Sequence, residues 1–381
     1  MIIERGAVPV FIQLLSSHNE ELRDQAVWAI GNIAGDSPEF RDYVLQQGVL
    51  HPLLQLLQLP NNKLSLIRNA AWTLSNFCRG KPAPKLNAVV PAIPMLAQLL
   101  KSSDDEVIAD AAWSFSYLSD ADESAIDAII SSGVCQTLVY LLSHPSSSVQ
   151  TPALRTVGNI CTGNDRQTQI LLDLNVLPSL GQLLNSQRKT IRKETCWTLS
   201  NITAGTKIQT QHVINSGLFP ELIRQLDCSE FEVRKEAAWA ISNATTWKVP
   251  EQIKSILGWG AAKPMIQLLA SNDTKLILVV LEFTENVLST GEMIANQLGQ
   301  QNMFVNNFEE VEAVDKLDQL QSHSNNEIYK KSVSILEKYF GAVDETNDEN
   351  MAPAPQQQQS VFSFTPQQQN QFSGPTGGFV F

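Results

Sequence analysis

Nothing in this sequence carries the spacing of a metal or redox centre. The five cysteines, Cys78, Cys135, Cys161, Cys196 and Cys228, stand far apart with no CxxC pair. That pattern fits reduced thiols packed among apolar side chains in a reducing compartment. The five histidines, His18, His51, His144, His212 and His323, are equally scattered. No HExxH, no phosphate-cradling glycine loop and no nucleophile elbow occurs, so hydrolase and nucleotide chemistry find no footing. A run of 18 apolar residues is missing, and so is a signal peptide, which speaks for a cytosolic or nuclear chain with no membrane span. We read a non-enzyme with no cofactor and no metal.

Positive charge is also in short supply. Against 39 Asp and Glu there are 27 Lys and Arg, a formal charge of −12 over 381 residues. Such a balance disfavours direct binding to nucleic acid and draws basic partners instead. The hydrophobic share, 43%, suffices for the core of a water-soluble protein of this length.

What the sequence does contain is a period. Trp and Asn recur four residues apart in Trp28/Asn32, Trp72/Asn76, Trp197/Asn201 and Trp239/Asn243, with variants at Trp113/Tyr117 and Arg155/Asn159 and a weaker echo at Glu282/Asn286. The anchors lie 41 to 44 residues apart, a spacing found in armadillo and HEAT helical repeats and not in globular enzymes. Upstream of the ladder a small residue opens an apolar segment, often with an early proline, as in Gly48-Val-Leu-His-Pro-Leu-Leu, where the missing N–H of proline is tolerated. Polar turns such as Lys101-Ser-Ser-Asp-Asp follow and supply the oxygens that start the next helix. The expected unit is helix, turn, helix.

In the anchor helix the apolar positions fall six and two residues before the anchor and two and five after it. Examples are Leu22, Ala26, Ile30 and Ile33, then Leu66, Ala70, Leu74 and Phe77, and later Ile191, Thr195, Leu199 and Ile202. These form one buried stripe. At about 100° per residue, two positions is a turn of about 200°, so each anchor points almost opposite its own core. Aromatic rows on such a face mark a binding surface.

The chemistry of the row specifies its ligand. An asparagine amide offers a donor and an acceptor to the main chain of an extended peptide. Slots between parallel indoles suit alkyl stems that end in a cation. Asp36, Asp120, Asp122, Glu123, Asp165, Glu194 and Glu236 stand where such a charge would arrive. An extended segment rich in Lys and Arg is the expected ligand.

The strings Trp28-Ala-Ile-Gly-Asn-Ile-Ala-Gly-Asp-Ser, Arg68-Asn-Ala-Ala-Trp-Thr-Leu-Ser-Asn-Phe-Cys-Arg-Gly, Trp113-Ser-Phe-Ser-Tyr-Leu-Ser-Asp and Arg155-Thr-Val-Gly-Asn-Ile-Cys-Thr-Gly-Asn resemble the importin-α family of adaptors for nuclear localisation signals, in order from about residue 1 to Phe340. The resemblance implies an all-α, armadillo-repeat, right-handed superhelical solenoid with two peptide sites in its groove. It implies that Trp28, Asn32, Asp36, Asn69, Trp72, Asn76, Trp113 and Asp120 belong to a larger site, which takes monopartite signals. Arg155, Asn159, Asp165, Glu194, Trp197, Asn201, Glu236, Trp239 and Asn243 would form a smaller one for the short cluster of bipartite signals. Tyr117 and Arg155 fall where the family interrupts its ladder. It also implies cargo proteins as partners, importin-β as a partner of full-length family members, a recycling exportin at the last repeat, and shuttling between cytoplasm and nucleus.

Against the family pattern, the sequence shows neither the basic importin-β-binding segment nor the first two repeats. The expectation is a chain that binds cargo without carrying it. Residues 1–341 are read as about eight armadillo repeats, the first incomplete, and 342–381 as an acidic, then Gln/Pro/Phe-rich disordered tail. The alternative is an armadillo scaffold for other protein partners. A β-catenin-like groove would be basic, opposite to this one, and a HEAT scaffold would lack the Trp/Asn face.

Overall fold

The computed structural model describes residues 5–341, which are helical throughout apart from turns. The tail expected over 342–381 lies outside the described residues. Two helices come first, α1 (Ala7–Leu14) and α2 (Glu20–Asp36). Triplets follow: α3 (Pro38–Gln46), α4 (Leu50–Leu57) and α5 (Leu64–Cys78), then α6 (Leu86–Val89), α7 (Ile93–Leu99) and α8 (Asp105–Ser119). The next are α9 (Glu123–Ser131), α10 (Cys135–Leu141) and α11 (Ser147–Cys161), then α12 (Asp165–Asp173), α13 (Leu177–Leu184) and α14 (Lys189–Thr203). The series continues with α15 (Lys207–Asn215), α16 (Phe219–Gln225) and α17 (Phe231–Asn243), and with α18 (Pro250–Gly258), α19 (Ala262–Gln267) and the long α20 (Thr274–Leu298). It closes with α21 (Val305–Glu309), α22 (Ala313–Leu320) and α23 (Asn326–Phe340).

The unit therefore has three helices, not the two expected. The extra one is the short first helix, and local chemistry builds it. Ser37 caps α3 through a bond from the Phe40 N–H at 3.2 Å, ahead of Pro38 in the first turn. Asp122 caps α9, while Asn164/Gln167 and Thr206/Gln209 form reciprocal capping boxes at α12 and α15. Each satisfies backbone donors that a helix start leaves open.

Consecutive third helices, α2, α5, α8, α11, α14, α17 and α20, pack side by side as one layer. The predicted stripe forms the core: Ala26, Ile30, Leu66, Leu74, Phe77, Phe115, Val157, Leu199 and Ile241 are all buried. Thr195 joins them because its hydroxyl donates to the Ile191 carbonyl at 2.7 Å, which removes the cost of burying it. Two positions depart from the expectation. Leu22 is exposed and Ile33 only half-buried, both on α2, which has no described repeat before it to cover that side.

Acidic caps bind the layer together. The Asp104 carboxylate accepts the Val107 N–H at the start of α8 and pairs with Arg68 of α5 at 2.6 Å. Asp273 does the same for α20, with Lys235 of α17 at 2.6 Å. The Arg68 hydrogen bond holds the Asp104 carboxyl below the usual carboxylate range. Each cap thus fixes its own helix and ties it to the preceding repeat.

Candidate functional site

The anchors line up on the third-helix layer, away from the stripe. Trp28 is 52% exposed, whereas Trp72, Trp113, Trp197 and Trp239 are half-buried. They are not bare indoles, because each unit rests on the one before it. The six-membered ring of Trp72 lies on the backbone of Gly31, where an added Cβ would meet its Cε3 at 2.9 Å; Trp197 lies on Gly158 in the same way. Small residues fill this spot three positions after each anchor, Gly31, Ser75, Ser116, Gly158, Ser200 and Ser242. Trp72 and Trp197 are thus wedged against the preceding unit.

The asparagines differ from the expectation of fully open amides. The side-chain amide of Asn76 donates to the Gly31 carbonyl at 3.1 Å, Asn159 to that of Ser116 at 3.0 Å and Asn243 to that of Ser200 at 3.0 Å. The donor side is committed to the preceding repeat, because neighbouring helices approach closely enough for the amide to reach a carbonyl there. Asn32 bonds within its own helix, to the Trp28 carbonyl at 2.9 Å. Asn69 donates to Asp24 at 2.7 Å. At Asn201 the Nδ2 donor is buried with no partner. Such an atom is costly unless a ligand satisfies it.

The acidic residues fall into two groups. Asp36, Asp120, Asp122, Glu123 and Asp165 are exposed at the helix ends and the turns after them, and Asp120 is engaged by Lys81 at 3.3 Å. Glu194 and Glu236 are 8% and 3% exposed, deeper than free surface carboxylates. Arg155 explains Glu194. It meets that carboxylate at 2.6 Å while its guanidinium sits 5.5 Å from the centre of the Trp197 ring. One repeat earlier, Trp113 stacks on Tyr117 at 5.7 Å. Burial raises the Tyr117 hydroxyl pKa against the opposing pull of Arg79. The middle of the row is thus closed by a Trp/Tyr stack and by a cation the chain supplies itself.

Among the described residues no three His, Cys, Asp or Glu side chains gather as a metal site, and no single helix is long and apolar enough to cross a membrane. Cys78 and Cys135 are pushed by burial to about 12 and about 11, so their thiols stay protonated.

The armadillo/beta-catenin-like repeat family matches residues 1–35, 37–79, 82–120, 122–162, 164–204 and 206–246, and an atypical Arm repeat matches 302–354. Importin subunit alpha-1b of Oryza sativa subsp. japonica is 49% identical over 383 residues, which cover 100% of this chain and 70% of that protein. The chain belongs to the importin-α family. It is accordingly an adaptor of nuclear import and not an enzyme. Importin subunit alpha-3 of Arabidopsis thaliana is 50% identical, covering 96% of this chain and 68% of that one. Importin subunit alpha-B of Dictyostelium discoideum is 48% identical, at 98% and 71%. Among solved structures, an engineered protein aligns with a TM-score of 0.69 at 25% identity over 88% of this chain and 89% of its own. A designed armadillo repeat protein in complex with the peptide (KR)4 aligns at 0.58 and 30% identity, over 64% and 98%.

On this importin-α face the structure adds a residue that the sequence reading passed over. Asp110 lies three positions before Trp113, the place that Asn69, Glu194 and Glu236 hold in their own units. Burial, with Glu106 nearby, raises its carboxyl to about 7. The spacing alone would have found it, but the depth that sets its charge is tertiary.

Proposed function

We propose that the third-helix row binds extended Lys- and Arg-rich segments of cargo proteins, the nuclear localisation signals, in two stretches separated by Arg155. The first stretch uses Trp28, Asn32, Asp36, Asn69, Trp72, Asn76, Trp113 and Asp120. The second uses Asn159, Asp165, Glu194, Trp197, Asn201, Glu236, Trp239 and Asn243, with Arg155 at its border. Lysine and arginine stems pack between wedged indoles and end at carboxylates. Asparagine carbonyls take the peptide main chain.

One observation carries this reading. Arg155 already occupies an indole and a carboxylate of the row, 5.5 Å from the Trp197 ring centre and 2.6 Å from Glu194, the arrangement proposed for each ligand cation. The designed repeat protein solved with (KR)4 supports the same class of ligand. The adaptor shuttles between cytoplasm and nucleus, and a recycling exportin meets it at the last repeat, α21 to α23. Fluorescence anisotropy with a monopartite and a bipartite basic peptide tests the ladder. Bipartite binding that Trp197→Ala/Trp239→Ala reduces tenfold or more is the expected result; equal binding by wild type and double variant would remove the indoles from the site.

A further inference from the structure

Two exposed tryptophans fall outside the Trp/Asn period, Trp259, which stacks on Phe219, and Trp247, which lies beside the row. Trp247 follows Trp239 and Asn243 at successive intervals of four, so the helical turns Ala244–Trp247 carry it one step further along the same meridian. At the matching place the two preceding units have Gly163 and Gly205. The indole N–H donates to the Gly205 carbonyl at 2.8 Å, and the side chain remains 51% exposed. Gly205 cannot be larger, since an added Cβ would collide with the Gln209 side chain that caps α15. Trp247 is therefore a fixed, solvent-facing plate beside the second stretch of the row, not a floppy surface aromatic.

Its charge setting differs from that of the other indoles. Trp197 and Trp239 have Glu194 and Glu236 three residues before them, whereas Trp247 is flanked by Lys248 and lies bonded beside the turn that leads to Lys207, both exposed lysines. A ligand cation there would meet two lysines, of which Lys248 also neighbours Glu282, while an apolar side chain would need no countercharge. Resting on the peptide-binding reading above, we propose that Trp247 is a specificity residue that receives an apolar side chain flanking the basic cluster of the bound peptide. The row would then read more than positive charge.

The test uses the full chain and a set of labelled peptides with one basic cluster and a Leu or a Ser at each flanking position in turn. Wild type is expected to favour one Leu-flanked peptide by about fivefold, the gain from partly burying an aliphatic side chain. Trp247→Ala should bring that peptide to parity with its Ser counterpart and leave the Ser counterpart unchanged. Trp247→Phe, which keeps a ring without the bond to Gly205, should retain part of the preference. The same preference in Trp247→Ala, or tighter binding of every peptide by that variant, overturns the proposal and leaves the ladder reading intact. Failure of wild type to bind any of the peptides overturns both.

Discussion

Gly158→Ala sets two well-known effects against each other. In a helix interior this change ordinarily stabilises by about 1 kcal/mol through lost freedom of the unfolded chain. Here the new methyl enters space held by the Trp197 ring and by Thr198 Oγ1, which stands 2.8 Å from its position. Overpacking of that kind costs about 1–3 kcal/mol, and Thr198 cannot withdraw easily, since it is buried and donates to the Glu194 carbonyl at 2.8 Å. The balance is a net loss of up to about 2 kcal/mol, with the indole tilted off its seat. A displaced indole gives up about 0.5–2 kcal/mol of cation contact, so basic-peptide affinity should fall about tenfold although Gly158 touches no ligand. Thermal melts and anisotropy titrations read both quantities. Gly258→Ala in α18 is the control, because nothing lies within 4 Å of its added methyl. A Gly158→Ala protein that melts at or above wild type and binds equally would refute the wedged-indole account.

Removing the self-supplied cation should cut both ways. Arg155→Ala leaves the Glu194 carboxylate buried without its partner and lowers the melting midpoint, yet a peptide lengthened by one arginine should bind that variant more tightly than wild type in calorimetry; no gain would mean the slot does not accept ligand cations. Asp110 gives a pH dependence of known sign. Its folded pKa of about 7 lies above the unfolded value near 4, so it weakens the fold as pH rises from about 4 to 7 and no further beyond. Asp110→Asn should therefore raise the melting midpoint more at pH 8 than at pH 4, and equal increments would place the carboxyl in solvent. Asp104 works in the opposite sense. Held down by Arg68, it contributes stability above about pH 4 that is lost in acid, and Asp104→Asn should flatten that acid limb of the melting curve while keeping the helix cap.

The repeat period, the buried stripe and the off-core row were legible because identical local rules recur every 42 or so residues, which makes each unit a check on the last. What the sequence did not reveal depends on neighbours. The short helices α3, α9, α12 and α15 are too brief for a clear apolar period, so the unit was expected with two helices instead of three. Burial of Glu194 follows from Arg155, 39 positions earlier. The commitment of Asn76, Asn159 and Asn243 to the preceding unit follows from how closely α2 and α5, α8 and α11, and α14 and α17 approach. Leu22 matched the stripe by spacing alone, and its exposure shows that spacing identifies a face, not the partner that covers it.

The side-by-side third helices also act as a ruler. Packed helices stand about 8–10 Å apart, whereas two residues of an extended chain advance about 6.6 Å. On a straight stack the two scales would drift out of phase, like a vernier, after a few graduations. Arg155, which takes up an indole near the middle of the row, divides that scale into two shorter ones. A ligand read as two short clusters joined by a slack connector meets each half of the scale in phase, and needs no long unbroken match.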